Sequence, residues 1–209
     1  MTAAAFVKSF KLTTSMKKYL KQFALIASRY SAFSVYLFYR LDSKLLGERK
    51  AFEMITQSLS LIPGVTGEFF RRGFLQWVTG LRLADCCISF GVTFSDPRLA
   101  LGDGIYIGRG CDIGYVHIED RCLIGSNVHI ISGLQQHGFN NADEPVKNQK
   151  GKFEKVIIGE DTWVGNGAII GADIGKKCII GAGAVVVKPV PDFNIVAGNP
   201  AKTISFRGN

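Results

Sequence analysis

A six-residue period in the second half of the chain constrains the fold more than any other feature. Neither the 3.6-residue period of a helix nor the two-residue period of a long strand produces this spacing. A short strand followed by a turn does, so the period predicts a mainly β fold, a left-handed parallel β-helix of hexapeptide repeats whose aliphatic side chains point inward. The predicted inward residues form two series: Leu101, Ile107, Ile113, Ile118, Ile124 and Ile130, then Ile158, Val164, Ile170, Ile174, Ile180 and Val186.

Two steps in these series are shorter than six residues. Ile113 to Ile118 is five residues and Ile170 to Ile174 is four, so we expect local irregularity at the corners there. Between the two series lies a polar segment, 132–155, without the hexapeptide pattern. Long insertions in a compact repeat are usually functional, and we expect a loop that protrudes from one corner of the prism.

The first part of the chain has a helical pattern instead. Apolar residues at steps of three and four predict one face of an amphipathic helix: Leu20, Phe23, Ile26, Tyr30, Phe33, Leu37, Leu41 and Leu45. A second helix is expected from 48 to 61, before the break at Pro63-Gly64, and a third at about 67–81. We therefore predict a basic, aromatic-rich helical region at 1–83 and a β-helix domain at 84–209.

The positive charge is concentrated in the helical region. Residues 1–82 carry 13 Lys and Arg against 4 Asp and Glu, a net +9, whereas residues 83–209 carry 12 against 13. A nucleic-acid site on the near-neutral β-helix is therefore not expected. For the apolar helical face two alternatives stay open. It docks on an anionic membrane surface, or it packs on the open end of the β-helix or on another subunit.

The sequence also bears on location. Residues 1–22 lack a convincing secretory signal, and the apolar stretch from Phe23 to Leu41 contains Arg29 and Arg40, which suit a membrane span poorly. We expect a cytoplasmic protein, peripheral on the cytoplasmic face of the membrane if the helices dock there. The five cysteines contain no CxxC pair and are interpreted as small apolar fillers in a reducing compartment.

Four motifs accompany the repeat: LIGSNVHIISG at 123–133, IIGEDTWVGNGAII at 157–170, IIGAGAVVVKPVP at 179–191 and AGNPAK at 197–202. Together with a histidine-bearing loop, they resemble the hexapeptide-repeat acyltransferases. The similarity is to galactoside, maltose and xenobiotic acetyltransferases and to sugar O-acetyltransferases of polysaccharide biosynthesis. It covers residues 101–202, about half of the chain.

This resemblance implies an O-acetyltransferase that moves an acetyl group from acetyl-CoA to a hydroxyl of a sugar or lipid-linked sugar, without a metal. It implies a homotrimer with the site between two prisms, and it gives His137 of the loop the role of general base. Asp112, on a strand below the loop, is the candidate acceptor contact. The candidate CoA contacts are Trp163, Asn166, Ala182, Gly183, Val187, Lys188 and Lys202. For Trp163, simple packing against the loop is the alternative.

The sequence also bears on three other functions. His117 and His129 each precede an inward aliphatic residue and fall on different sides of one prism, so within one subunit they cannot share a zinc ion as a γ-type carbonic anhydrase requires. Transfer to an amine, a serine hydroxyl or an antibiotic remains an alternative within the same enzyme family. A non-catalytic scaffold that uses the β-helix as a spacer is the alternative outside it.

Overall fold

The computed structural model describes residues 14–83 and 85–208, and it begins with four helices. These are α1 (Thr14–Ser31), α2 (Phe33–Leu46), α3 (Glu48–Ser60) and α4 (Gly64–Thr79). The single helix predicted at the start is divided at Ala32, which adopts φ −92° and ψ 2°. The third predicted helix begins at Gly64, three residues earlier than expected. The side chain of Leu20, the first residue of the predicted apolar face, lies outside the described residues.

Fifteen short strands follow within the part of the chain that the structure describes, and they form three faces of a prism. All neighbouring strands pair in parallel except β14 and β15, which pair antiparallel, and the predicted left-handed β-helix is confirmed. Face 1 consists of β1 (Cys87–Ile88), β4 (Tyr106–Ile107), β7 (Leu123–Ile124), β10 (Trp163–Val164), β12 (Ile179–Ile180), β14 (Asn194–Ala197) and β15 (Lys202–Phe206). Face 2 consists of β2 (Thr93–Phe94), β5 (Asp112–Ile113), β8 (His129–Ile130), β11 (Ile169–Ile170) and β13 (Val185–Val186). Face 3 consists of β3 (Ala100–Leu101), β6 (Val116–Ile118) and β9 (Val156–Ile158).

The interior of the prism is built as the period predicts. All twelve predicted inward aliphatic residues are at most 4% exposed. The series also extends earlier than expected, because Ile88 and Phe94 point inward in the first coil. A second inward row contains smaller residues, and Cys122 is one of them. Burial raises the pKa of the Cys122 thiol to about 11, and its Sγ donates to the Gly159 carbonyl at 3.1 Å, which confirms cysteine as a core filler.

The corners are held by a repeated hydrogen bond between coils. The backbone N–H of Asp103 donates to Asp120 Oδ1 at 2.9 Å, one coil further on. Ser126 donates in the same way to Asn166 Oδ1 at 2.8 Å. The two short steps are irregular as predicted, since Gly114 and Tyr115 alone separate β5 from β6 and Ile174 forms only isolated bridges.

Helices α3 and α4 cap the open end of the prism at its first coil. Thr56 Oγ1 of α3 donates to the Phe94 carbonyl at 2.8 Å. Arg71 of α4, only 3% exposed, donates to the carbonyls of Ile88, Leu59 and Ile62 at 2.8–2.9 Å. These bonds satisfy buried carbonyl groups that a helix end and a strand edge would otherwise leave without partners.

Of the alternatives for the apolar face from Leu20 to Leu45, packing on the open end of the β-helix is not the arrangement in the structure, because α3 and α4 occupy that end. The described side chains of that face are exposed. The inward positions of α1 and α2 are instead taken by Ser28, Ala32 and Asp42. Ser28 and Ala32 are small enough to let α1 approach α4 closely at Gly73, where an added Cβ would overlap the Ser28 carbonyl oxygen.

Candidate functional site

The polar segment 132–155 is a loop that leaves the corner between faces 2 and 3. It follows β8 and returns to the prism at β9. The base of the loop is closed by backbone bonds from Lys152 to Gln135 at 2.7 Å and from Glu154 to Ser132 at 2.9 Å. Further out, Gln149 Nε2 donates to two loop carbonyls, those of Asn141 and Glu144, at 2.7 and 2.8 Å. The loop is thus braced by its own hydrogen bonds although it is polar.

His137 lies in this loop and is exposed. The two sides of the loop approach so closely here that a Cβ on Gly151 would lie 2.5 Å from the His137 backbone nitrogen. Glycine at 151 therefore fixes where the histidine backbone sits. Among the described residues, the imidazole has no hydrogen-bond partner, which leaves both ring nitrogens facing solvent.

Three of the candidate CoA contacts stack on the corner between faces 1 and 2. The Gly183 N–H donates to the Asn166 carbonyl of the preceding coil at 2.9 Å, and Ala182 lies beside it. Gly167 and Gly183 have φ of +70° and +69°, and nothing lies within 4 Å of a Cβ built on either. This corner is therefore an open surface of small residues, where a slender ligand can approach the backbone.

Two further candidates, Val187 and Lys188, follow β13 on the corner between faces 2 and 3. This is the corner from which the loop leaves. Leu134, near the start of the loop, covers Gly171 of the intervening coil, since a Cβ on Gly171 would lie 2.6 Å from Leu134 Cδ2. The loop and Lys188 thus share one corner of the prism.

Trp163 and Lys202 lie elsewhere, on face 1. Trp163 is 49% exposed and stands in register with Leu123 and Ile179 of the neighbouring strands. The loop leaves from the corner opposite face 1, so Trp163 does not pack against the loop of its own chain. A single chain therefore does not gather all the predicted site residues around His137.

Asp112 is exposed on face 2, between the two corners just described. Its Oδ1 accepts a hydrogen bond from Thr93 Oγ1 at 2.8 Å. It stands in register with His129, on the strand that leads into the loop. His117 lies on face 3, which confirms that the two strand histidines occupy different sides.

Thr93 and His129 were not predicted as site residues, but the structure places both beside Asp112 on the outer surface of face 2. The sequence could have indicated this, because all three residues directly precede an inward residue and lie one coil apart.

One contact at the loop base was not predicted from the sequence. The Arg49 guanidinium of α3 lies 4.2 Å from the centre of the Phe153 ring, and its Nε donates to the Ser95 carbonyl at 3.1 Å. This ties the returning side of the loop to the helical cap. Residues 14–83 and 85–208 contain no group of three histidine, cysteine or carboxylate side chains placed to hold a metal ion.

Residues 115–134 and 155–188 match the family described as the hexapeptide repeat of succinyl-transferase. The described β-helix therefore contains repeats similar to those of this family. The two matched segments flank the loop that carries His137.

Curated relatives of the domain are acetyltransferases by name. A probable acetyltransferase of Mycobacterium tuberculosis is 34% identical over 117 residues, which cover 54% of this chain and 38% of the relative. A chloramphenicol acetyltransferase of Escherichia coli is 33% identical, covering 46% of this chain and 53% of the relative. A serine acetyltransferase of Bacillus pumilus is also 33% identical, covering 54% and 48%. The chain thus spans about half the length of these relatives or less.

Solved structures show the same fold. A galactoside acetyltransferase in complex with coenzyme A superposes with a TM-score of 0.57 at 20% identity, covering 74% of this chain and 80% of that one. A maltose O-acetyltransferase from Clostridium difficile superposes with a TM-score of 0.53 at 19% identity, covering 88% and 89%. At these identities the likeness concerns the fold of the hexapeptide-repeat domain.

Proposed function

We propose that this chain transfers an acetyl group from acetyl-CoA to a hydroxyl group of a sugar or glycan precursor. The observation that carries the proposal is the shared corner, where the loop with His137 leaves the prism beside Lys188. Support comes from curated relatives at 33–34% identity that are named acetyltransferases.

In this mechanism, His137 acts as the general base. Its neutral imidazole takes the proton of the acceptor hydroxyl as the oxygen attacks the thioester carbonyl. An oxygen–carbon bond forms, the carbon–sulfur bond breaks, and the imidazolium returns the proton to the leaving thiolate. The chain needs no nucleophilic serine or cysteine, and its buried cysteines, with raised thiol pKa values, are poorly suited to such a role.

Acetyl-CoA fits the open corner built by Ala182 and Gly183. The pantetheine arm is slim and rich in amides, and backbone groups beside small residues can hydrogen-bond to it. Lys188 and Lys202 supply positive charge for the CoA phosphates, and the Trp163 ring supplies an apolar cover. Asn166 Oδ1 already accepts a hydrogen bond from the Ser126 N–H. Asn166 therefore either donates to CoA through its side-chain amide nitrogen or only holds the corner in place.

We propose further that the active form is a homotrimer. Trp163 lies on face 1 and the His137 loop leaves the opposite corner, so a site that contains both draws on two copies. The loop also carries exposed apolar side chains, Phe139 and Val146, which suit contact with a neighbouring prism. Sedimentation of the active protein tests this, and an active monomer would contradict it.

The acceptor is proposed to be a sugar or lipid-linked sugar that binds over face 2. Asp112, oriented by Thr93, offers a carboxylate oxygen to a sugar hydroxyl between the two corners. The relatives named for serine and chloramphenicol define the competing acceptors, and an amine is a further one. A scaffold without catalysis is the remaining alternative.

The deciding experiment measures thiol release from acetyl-CoA by the full chain. Each reaction contains a galactoside, a maltoside, a lipid-linked sugar, serine, chloramphenicol or a simple amine. We expect release with at least one sugar and transfer of the acetyl group to its hydroxyl. Thiol release only with serine, chloramphenicol or the amine would contradict a sugar acceptor and would assign the acceptor to that other class. No binding of CoA in calorimetry would favour the scaffold.

A further inference from the structure

Helices α1 and α2 present a continuous apolar stripe to solvent. Its members are 40–74% exposed although each is large and apolar. We call this the outer stripe, and it consists of Tyr19, Phe23, Ile26, Tyr30, Phe33, Leu37, Phe38, Leu41 and Leu45. The three- and four-residue steps continue across the bend at Ala32, so the stripe runs along both helices. Contiguous apolar surface of this kind marks an interaction site in a soluble protein.

The opposite face of the same helices is fully used by the fold. Ser28, Ala32, Tyr39 and Asp42 are buried there. Ser28 Oγ donates to the Phe69 carbonyl of α4 at 2.7 Å, and the Trp77 Nε1 of α4 donates to the Arg29 carbonyl at 2.7 Å. Because α1 and α2 are anchored through this inner face, the outer stripe cannot turn inward without breaking these contacts.

Charge identifies the surface that matches the outer stripe. Residues 1–46 carry eight Lys and Arg and a single acidic residue, Asp42, which is buried on the inner face. Arg29 and Arg40 are exposed and are held beside aromatic rings, Arg29 at 4.4 Å from the Trp77 ring and Arg40 through a 3.1 Å bond to the Tyr36 hydroxyl. Among the described side chains of α1 and α2, the exposed cations Arg29, Arg40 and Lys44 thus accompany the stripe, and these two helices present no exposed acid.

We propose that the outer stripe docks this protein on an anionic phospholipid surface. Its aromatic and aliphatic side chains enter the headgroup boundary, and the flanking cations contact lipid phosphates. No helix among the described residues is long and apolar enough to cross a bilayer, so α1 and α2 lie along the surface. The inference does not depend on the acyl-transfer chemistry proposed above.

A second copy of the chain is the competing partner for this surface. Two copies that met through the outer stripe would bring two strongly positive surfaces together, and Asp42 is buried and cannot offset them. An anionic lipid surface instead complements both the apolar stripe and its cations. Charge complementarity therefore favours the membrane.

The test is co-sedimentation of the full chain with two kinds of vesicle, phosphatidylcholine alone and an equal mixture of phosphatidylcholine with phosphatidylglycerol. We expect binding to the mixed vesicles at low salt and release at high salt. The triple variant Phe23→Gln, Leu37→Gln, Leu41→Gln should bind on the order of tenfold more weakly or worse. Glutamine keeps helix propensity and these side chains are exposed, so folding should be unchanged by circular dichroism.

The matched control is the double variant Ile204→Gln, Phe206→Gln, which removes exposed apolar side chains from β15. It should bind vesicles as the wild type does. Wild-type protein that stays in the supernatant with both vesicles would overturn the proposal, as would a triple variant that binds as tightly as the wild type. If the wild type does not bind vesicles and the triple variant differs from it in oligomeric state, the outer stripe would instead be a contact between copies of the chain.

Discussion

The helical region and the β-helix use apolar residues in opposite senses. In the β-helix the aliphatic row points inward and polar residues such as Asp112 and His129 point outward. In α1 and α2 the inward positions hold Ser28, Ala32 and Asp42 together with one aromatic residue, Tyr39, whereas most of the large apolar residues point outward. A hydrophobic period therefore shows that a face exists, and only packing shows whether that face belongs to the core.

The largest expected effect is on catalysis, and it tests whether a residue of the β-helix region is the general base. His137→Ala should lower kcat by roughly 100-fold or more while leaving CoA affinity and stability nearly unchanged, since the side chain is exposed and acts as a base. Steady-state kinetics with calorimetry of CoA binding would measure this. His117→Asn, on face 3, is the matched control and should retain activity. Near wild-type kcat in His137→Ala would remove that residue from the mechanism.

The next prediction compares the loss of unfolding free energy at one buried residue of the β-helix with that at one residue of the outer stripe. Ile124→Ala should cost about 2–5 kcal/mol of unfolding free energy, because a fully buried side chain leaves a cavity. Leu37→Ala, at 53% exposure, should change it by about 0.5 kcal/mol or less. Urea unfolding of both variants would show this. Equal losses would mean that Leu37 is buried in solution, and the contrast between the regions would fail.

A third variant tests how closely α1 is anchored on its inner face. Gly73→Ala should destabilise the protein by about 1–3 kcal/mol, because the new methyl group overlaps the Ser28 carbonyl oxygen. At an uncrowded helical position the same change would instead stabilise the protein by up to about 1 kcal/mol. Thermal unfolding distinguishes the two signs. A stabilised Gly73→Ala protein would show that α1 does not pack against α4 in this way.

The smallest expected effect lies at the border of the two regions. Burial works to raise the pKa of Asp96, but hydrogen bonds from Arg98 outweigh it and hold that pKa below its usual range. The carboxylate therefore stabilises the fold above the unfolded-state pKa, near about 4, and this contribution disappears as the pH falls through the folded-state pKa.

Asp96→Asn should accordingly cost about 1 kcal/mol at neutral pH, the size expected for loss of a charge-assisted hydrogen bond. The difference from the wild type should shrink in acid, where Asp96 is protonated. Urea unfolding at neutral and acidic pH would measure both values. A difference that stays constant with pH would show that the charge of Asp96 does not stabilise the fold.

How much of the structure the sequence predicts differs between the two regions. Ile107 and Ile124 repeat one geometry coil after coil, so their period predicts both the strand and its burial. Ile88 and Phe94 in the first coil were missed because a seven-residue step separates Phe94 from Leu101 and because phenylalanine stands where the later coils have an aliphatic residue. The division of the first helix at Ala32 was missed because the apolar steps of three and four residues continue across it. The close approach of Ser28 to Gly73, 45 residues apart in the chain, likewise has no local sequence signal.

The candidate site was predictable to a similar degree. His137 and Lys188 follow from motifs, and the structure places the loop and Lys188 on one corner. The pairing of Thr93 with Asp112 depends on register between coils, which the seven-residue step from Phe94 to Leu101 obscures. The contact of Arg49 with Phe153 joins two regions of different period and carries no local sequence signal.

The antiparallel pairing of β14 with β15 has a consequence for how this protein behaves at high concentration. A parallel β-helix is a stack that, left open, can be extended by the next molecule as a filament grows. At one end α3 and α4 cover the first coil. At the other, β15 reverses direction against β14, and the Ala201 N–H bonds to the Val185 carbonyl at 2.8 Å across face 2. We therefore expect parallel stacking of one molecule on the next to be disfavoured at both ends of the described β-helix.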